Sequence, residues 1–250
     1  QVRFGGLGLT EATHWRTPLG EYPIDTDAVK KLAGATPFLF REDAFRREHS
    51  VDIQVPFLQV VAPRAKLVPI IVGGCDATRL RDAGRAIREL AAEPGTIVVA
   101  SSDFTHYGEN YGYVPFRTDV EANLAKLADA AFGAIALMDP DTLAAKLDET
   151  DDTVCGQAPI RVLMTAVPAR ARAVRLAYDT SGRVTGDFAN SVTYQSIAFG
   201  IPANYAFRNS EVLSVDEQRF LLALARETIK RHLAGKPLPD PEKEGQKIPD

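Results

Sequence analysis

The segment from Leu67 to Ala100 narrows the fold more than any other part of the chain. LVPIIVG (Leu67 to Gly73) and TIVVA (Thr96 to Ala100) are short, continuous apolar runs rich in β-branched residues, the pattern of strands covered on both faces. Between them, DATRLRDAGRAIREL (Asp76 to Leu90) places Leu80, Ala83, Ala86, Ile87 and Leu90 three and four residues apart, which is one apolar stripe along a helix. Asp76 stands where an N-cap is wanted, and Glu93-Pro94-Gly95 stops the helix. Strand, crossover helix and strand together predict a βαβ unit with two central parallel strands.

The same periodicity predicts helices over Asp25 to Ala33, His49 to Val61, Asp119 to Leu137, Asp139 to Leu147, and from Cys155 to about Val167. Pro56 bends the second of these unless it lies in the first turn. Arg172 to Tyr178 and Ser191 to Phe199 alternate like strands and are expected to pair antiparallel across the turn-rich Thr180 to Gly186. The expected fold class is therefore α/β: a central, mostly parallel sheet with helices on both faces, running to about residue 200. Residues 201–213 have no sustained period and read as a linker. Ser214 and Glu217 then form a capping box that opens a C-terminal helix to Leu233, followed by a proline-rich, charged tail to Asp250.

Charge and composition remove whole classes of function. Acidic residues outnumber basic ones, 33 to 29, and the basic residues are scattered, so nucleic acid is not an expected partner. No apolar run approaches the roughly 18 residues of a spanning helix, so no membrane partner is expected either. Cys75 and Cys155 are too few for a disulfide framework, and a cytoplasmic protein is expected. QVRFGGLGL reads as a strand already under way, so the domain is expected to begin before Gln1.

Chemistry concentrates where the second apolar run ends. VVASSDFTHYG (Val98 to Gly108) delivers Ser102, Asp103, Thr105 and His106 at a strand's carboxyl end, where the loops of an α/β sheet converge. Asp103 and His106 can serve as a carboxylate-oriented imidazole for acid/base work, or as metal ligands; the alternative is a capping aspartate beside a packed histidine. Cys155, in TVCGQAPI, precedes a helix start whose N-terminus favours a thiolate, as a nucleophile or a metal ligand. Cys75 follows a strand in VGGCDATRL, where Asp76 raises its pKa and a small turn residue is the better reading. His49 lies between Glu48 and Asp52, where capping or a salt link competes with catalysis, while His14 and His232 suit a turn and a helix end.

Three separated motifs, EHSVDIQVPFLQ (Glu48 to Gln59), ASSDFTHYG (Ala100 to Gly108) and CGQAPI (Cys155 to Ile160), together with the opening GLGLTEATHWRTPLGEYPID, resemble the Memo family in order and context over nearly all of residues 1–200. LLALARETIKRHL, within Ser214 to Leu233, resembles the start of an AMMECR-type domain. The resemblance implies a fold similar to LigB-type class III extradiol dioxygenases, with iron(II) or copper as cofactor. It implies Cys155 as a metal ligand, Asp103 and His106 in the same pocket with His106 as acid/base, and Ser102, Glu48 and His49 as pocket neighbours. Two further histidine ligands are expected in a family segment before Gln1. The implied function is a metal-dependent redox enzyme of the AmmeMemoRadiSam system acting on a peptide or small molecule; the alternative is a non-catalytic peptide- or protein-binding module that partners the system's radical SAM protein.

Overall fold

The computed structural model describes residues 4–46, 48–200, 231 and 234–237, and the chain divides into two compact units, Gln1–Asn204 and Tyr205–Asp250. In chain order the first unit contains β1 (Leu7–Leu9), β2 (His14–Thr17), β3 (Gly20–Pro23), α1 (Thr26–Ala33), β4 (Phe38–Phe40), α2 (Glu42–Phe45), α3 (Val55–Val61), β5 (Ile71–Val72) and α4 (Ala77–Ala91). There follow β6 (His106–Gly108), α5 (Val120–Ala136), α6 (Pro140–Thr150), α7 (Gln157–Ala166), β7 (Arg172–Thr180), α8 (Ser181–Thr185) and β8 (Asn190–Gly200). The architecture is mixed α/β. The expected C-terminal helix and linker lie outside the described residues, save for a terminal turn in which the Lys236 amide donates to the Arg231 carbonyl at 2.8 Å and Gly235 takes φ 63°.

Helix ends follow local chemistry closely. Asp25, Asp76 and Asp139 each accept an amide of the first turn of α1, α4 and α6, removing orphan donors that a helix N-terminus otherwise leaves to water. Pro56 sits in the first turn of α3, where its missing N–H costs nothing, and the residues expected to begin that helix, 49 to 54, form turns instead. β7 and β8 pair antiparallel as expected, from Arg172 opposite Gly200 to Thr180 opposite Thr193; the link between them is α8, capped by Thr180.

The sheet is less continuous than the apolar runs imply. Among the described residues the strands divide among three small sheets ordered β4-β1-β5, β2-β3 and β6-β8-β7, and the β1–β4 ladder alone is parallel, beside isolated parallel bridges at Gly5–Gly74 and Ile24–Leu67. LVPIIVG contributes only Ile71–Val72, antiparallel to β1. TIVVA is not a sheet strand: among the described residues its backbone makes no ladder, and the Thr96 amide donates to the Glu93 carbonyl of the preceding turn at 3.2 Å. Its side chains alternate all the same. Val98 packs on one core cluster and Ala100 on the other, while Ile97 is 84% and Val99 60% exposed. Continuous apolarity predicted two covered faces, and among the described residues only one is covered.

Two cores meet at α7. One cluster gathers Leu7, Leu9, Ile24, Val29, Phe38, Leu80 and Ile87 with Val162 and Ala166 of α7. The other gathers Phe104, Ala131, Ile135, Leu143, Leu147 and Val154 with Ile160 and Met164 of α7. The helix is thus gripped on two sides. Gly84 lets α4 approach it closely, since a Cβ there would stand 2.4 Å from Cβ of Thr165. Whatever precedes α7 is therefore held by both cores.

Candidate metal centre

Cys155 immediately precedes Gly156, the N-cap residue of α7, while His106 opens β6 and Asp103 lies three residues before it. The two stretches are 52 residues apart and meet in space: the Cys155 thiol donates to the Asp103 carbonyl at 3.7 Å, and the Ser102 hydroxyl donates to the same carbonyl at 2.7 Å. The approach depends on Gly156. A Cβ on that residue would fall 2.2 Å from both Cβ and Oγ of Ser102.

One donor atom each from Asp103, His106 and Cys155 lies within 4.8 Å of the others. Ligands around a tetrahedral zinc-sized ion, with bonds of about 2.0 to 2.3 Å, sit roughly 3.5 Å apart, so the donors need draw in by about 1 Å. Asp103 and Cys155 are exposed and can rotate that far, while His106 is half-buried. A thiolate, an imidazole and a carboxylate form a borderline donor set suited to iron, copper or zinc. The residues present fit such an ion.

The imidazole is oriented by its neighbours. Nδ1 of His106 lies 3.0 Å from the Phe104 carbonyl, which can only accept, so Nδ1 carries a proton and Nε2 is the nitrogen that offers a lone pair in the neutral ring. Nε2 faces Oδ2 of Asp103 at 3.9 Å, and Tyr111 stands edge-on to the ring with centroids 5.0 Å apart. The backbone of His106 is held as firmly: its N–H donates to Oγ1 of Thr153 at 2.7 Å, and the same hydroxyl donates to the His106 carbonyl at 2.9 Å.

Electrostatics departs from the helix-terminus expectation at Cys155. Burial of the thiol pushes its pKa up, and the negative charge of Asp103 adds to this; the bond to the Asp103 carbonyl opposes both. A metal would have to displace the proton. The Cys75 thiol is also raised, chiefly by burial, with Asp76 the smallest contribution and Arg79 opposing it. Tyr194, on β8, has its phenol raised by burial and then by the charge of Asp103.

Glu48 and His49 are not part of this grouping. The Glu48 carboxylate accepts the amides of His49, at 3.0 Å, and Ser50, so it caps a turn instead of orienting an imidazole, and His49 is exposed. Their motif still reaches the centre's neighbourhood, because Nε2 of Gln54 donates to Oγ of Ser101 at 3.1 Å. Ser102 is placed against Gly156 and the Asp103 carbonyl. No sequence motif sets Asp152 and Thr153 apart. Both sit in the acidic run Asp148 to Asp152 or beside it, which reads as a solvated loop, yet Asp152 is 8% exposed.

A profile of the Memo-like protein family matches residues 5–198. A MEMO1 family protein of Thermococcus kodakarensis is 35% identical over 210 residues, covering 78% of this chain and 72% of the relative. A MEMO1 family protein of Pyrococcus horikoshii is 33% identical, covering 77% of this chain and 72% of the relative. The memo-1 homologue of Caenorhabditis elegans is 28% identical, covering 66% of this chain and 49% of the relative.

Proposed function

The chain belongs to the Memo family, and from that premise we propose that it is a metal-site protein, a non-haem iron- or copper-dependent redox enzyme related to the extradiol dioxygenases. The observation that carries the reading is the convergence of Asp103, His106 and Cys155 from two distant stretches of chain onto one set of donor atoms. Cys155 supplies the thiolate, His106 its Nε2 and Asp103 a carboxylate oxygen. Three protein donors leave open positions, the arrangement of a site that handles substrate instead of merely bracing a fold. When bound, the metal supplies one-electron chemistry and a Lewis-acid centre.

The residues around the donors divide the remaining work. His106 offers a single free nitrogen, so it either binds the ion or moves a proton at Nε2, and it cannot do both at once. Tyr111 packs against the imidazole in a T-shaped contact and limits how the ring can turn. The peptide or small-molecule substrate and the radical SAM partner belong to this proposal as its expected setting.

Metal analysis of protein purified without oxygen tests the reading. About one equivalent of iron or copper is expected, with loss of most of it in Cys155→Ala, since a thiolate ligand is the strongest of the three donors. Full metal content in Cys155→Ala, or none in the parent protein after exposure to either metal, overturns it.

A further inference from the structure

Behind the three donors lies a second set of contacts that fixes their spacing. Asp152 is 8% exposed; its Oδ2 accepts from Oγ1 of Thr105 at 3.2 Å, while its Oδ1 is buried with no partner. Thr105 is fully buried, and its backbone is pinned to β8: its N–H donates to Oγ1 of Thr193 at 2.9 Å, and its carbonyl accepts the Thr193 amide at 2.9 Å. Thr153 satisfies both backbone groups of His106 with one hydroxyl. The stretch from Asp152 to Cys155 is thereby tied at two successive residues to Thr105 and His106, and it carries the thiol at its far end.

We propose that Asp152 and Thr153 are the positioning residues of this centre, a clasp in which the Asp152 carboxyl on Thr105 and the Thr153 hydroxyl on His106 set the distance of Cys155 from the imidazole. The inference rests on the metal-site reading above for its purpose, but not for its geometry. The Thr105–Asp152 bond is buried and the Thr153–His106 bonds are partly buried, so each is costly to leave unmade. Asp152 acts in the clasp only as an acceptor, taking the Thr105 hydroxyl at Oδ2, and burial pushes its carboxyl above the ordinary carboxylate range. An asparagine can therefore replace it, and an alanine cannot. The hydroxyl of Thr153 must both accept and donate, which serine can do and valine cannot.

Cobalt(II) titration of the full chain, read by the thiolate-to-cobalt charge-transfer band, tests the proposal. Asp152→Ala and Thr153→Val should weaken cobalt by about tenfold to a hundredfold, the range seen when groups that orient ligands are removed, while Asp152→Asn and Thr153→Ser stay within about threefold of the parent. Parent-like binding in folded Asp152→Ala and Thr153→Val overturns the clasp. Should those variants not fold, Asp152→Glu gives the same decision: it keeps the carboxyl but lengthens its reach, so the clasp requires weaker binding, and unchanged binding overturns it. A metal-free measurement separates the two readings. The rate of Cys155 alkylation by iodoacetamide, followed by peptide mass spectrometry, should rise in Asp152→Ala and Thr153→Val but not in Asp152→Asn and Thr153→Ser. If the parent never binds cobalt but this contrast appears, the metal reading falls and the clasp stands; equal alkylation rates in all variants overturn the clasp.

Discussion

Gly156→Ala isolates the joint that brings Cys155 to Asp103. The backbone at Gly156 has φ −97° and ψ 25°, which alanine can adopt, so the cost of the substitution is steric. The new Cβ would meet Cβ and Oγ of Ser102 at 2.2 Å and its Cα at 2.8 Å. Carbon atoms in contact settle near 3.5 to 4.0 Å, so the two chains must part by about 1.3 to 1.8 Å. Ser102 cannot swing clear, because its backbone is among the contacts. Cys155 cannot follow α7 inward, because α7 is packed between both cores. Overpacking of this kind costs about 1 to 3 kcal/mol. The displacement also exceeds the adjustment the three donors need to close on an ion, so cobalt affinity should fall by about tenfold or more. Gly133→Ala is the matched control: Gly133 lies inside α5 with nothing within 4 Å of its Cβ position, and alanine there should stabilise by about 0.5 to 1 kcal/mol through helix propensity. Urea unfolding and cobalt titration of both variants, with Gly156→Ala/Ser102→Gly as a partial rescue, measure the effect. Gly156→Ala with stability and cobalt binding equal to those of Gly133→Ala refutes the close approach as the determinant of the site.

Gly84→Ala should destabilise by about 1 to 3 kcal/mol in urea although it improves helix propensity, because its Cβ would lie 2.4 and 2.7 Å from the Thr165 side chain; equal or greater stability than the parent contradicts the α4–α7 packing. Asp152 gives a pH signature. Burial raises its carboxyl pKa from the ordinary 3.8, so between that value and the raised one the folded chain binds more protons than the unfolded chain. Its contribution to stability is full below the ordinary value and is lost as pH rises through the raised one. Urea midpoints across that interval should fall with pH more steeply in the parent than in Asp152→Asn, and parallel profiles contradict a raised Asp152 carboxyl.

Helices and caps were legible in the sequence because their signals are local. Asp25, Asp76 and Asp139 announce helix starts by residue type and spacing, and α1, α4 and α6 begin where they say. The antiparallel β7–β8 pair was legible from alternation. The pairing of Thr96 to Ala100 was not, because an apolar run states that a segment is attractive to other apolar groups and not that a neighbour is present to hydrogen-bond it. The same limit applies to the site. Asp103, His106 and Cys155 stand out by chemistry, and each could be named alone. The turn role of Glu48 and the burial of Asp152 depend on which amides and hydroxyls arrive from elsewhere, and Thr105 reaches Asp152 across 47 residues.

The arrangement also explains why so much polar machinery is buried behind an exposed site. Asp103 and Cys155 lie at the surface, where solvent and mobility would let them drift apart. Both side chains are exposed, so their own packing does not fix their spacing. What can hold them is the backbone beneath, and a backbone inside a protein is fixed by hydrogen bonds. Thr105, Thr153 and Thr193 supply those bonds, and Thr105 and Thr193 are fully buried. Asp152 ties the set to the loop that carries the thiol. Threonine suits the task better than serine, since its methyl group fills the space around a hydroxyl that must keep one rotamer. A site built in this way can keep reactive groups open to a metal and a substrate while their spacing is decided a layer below.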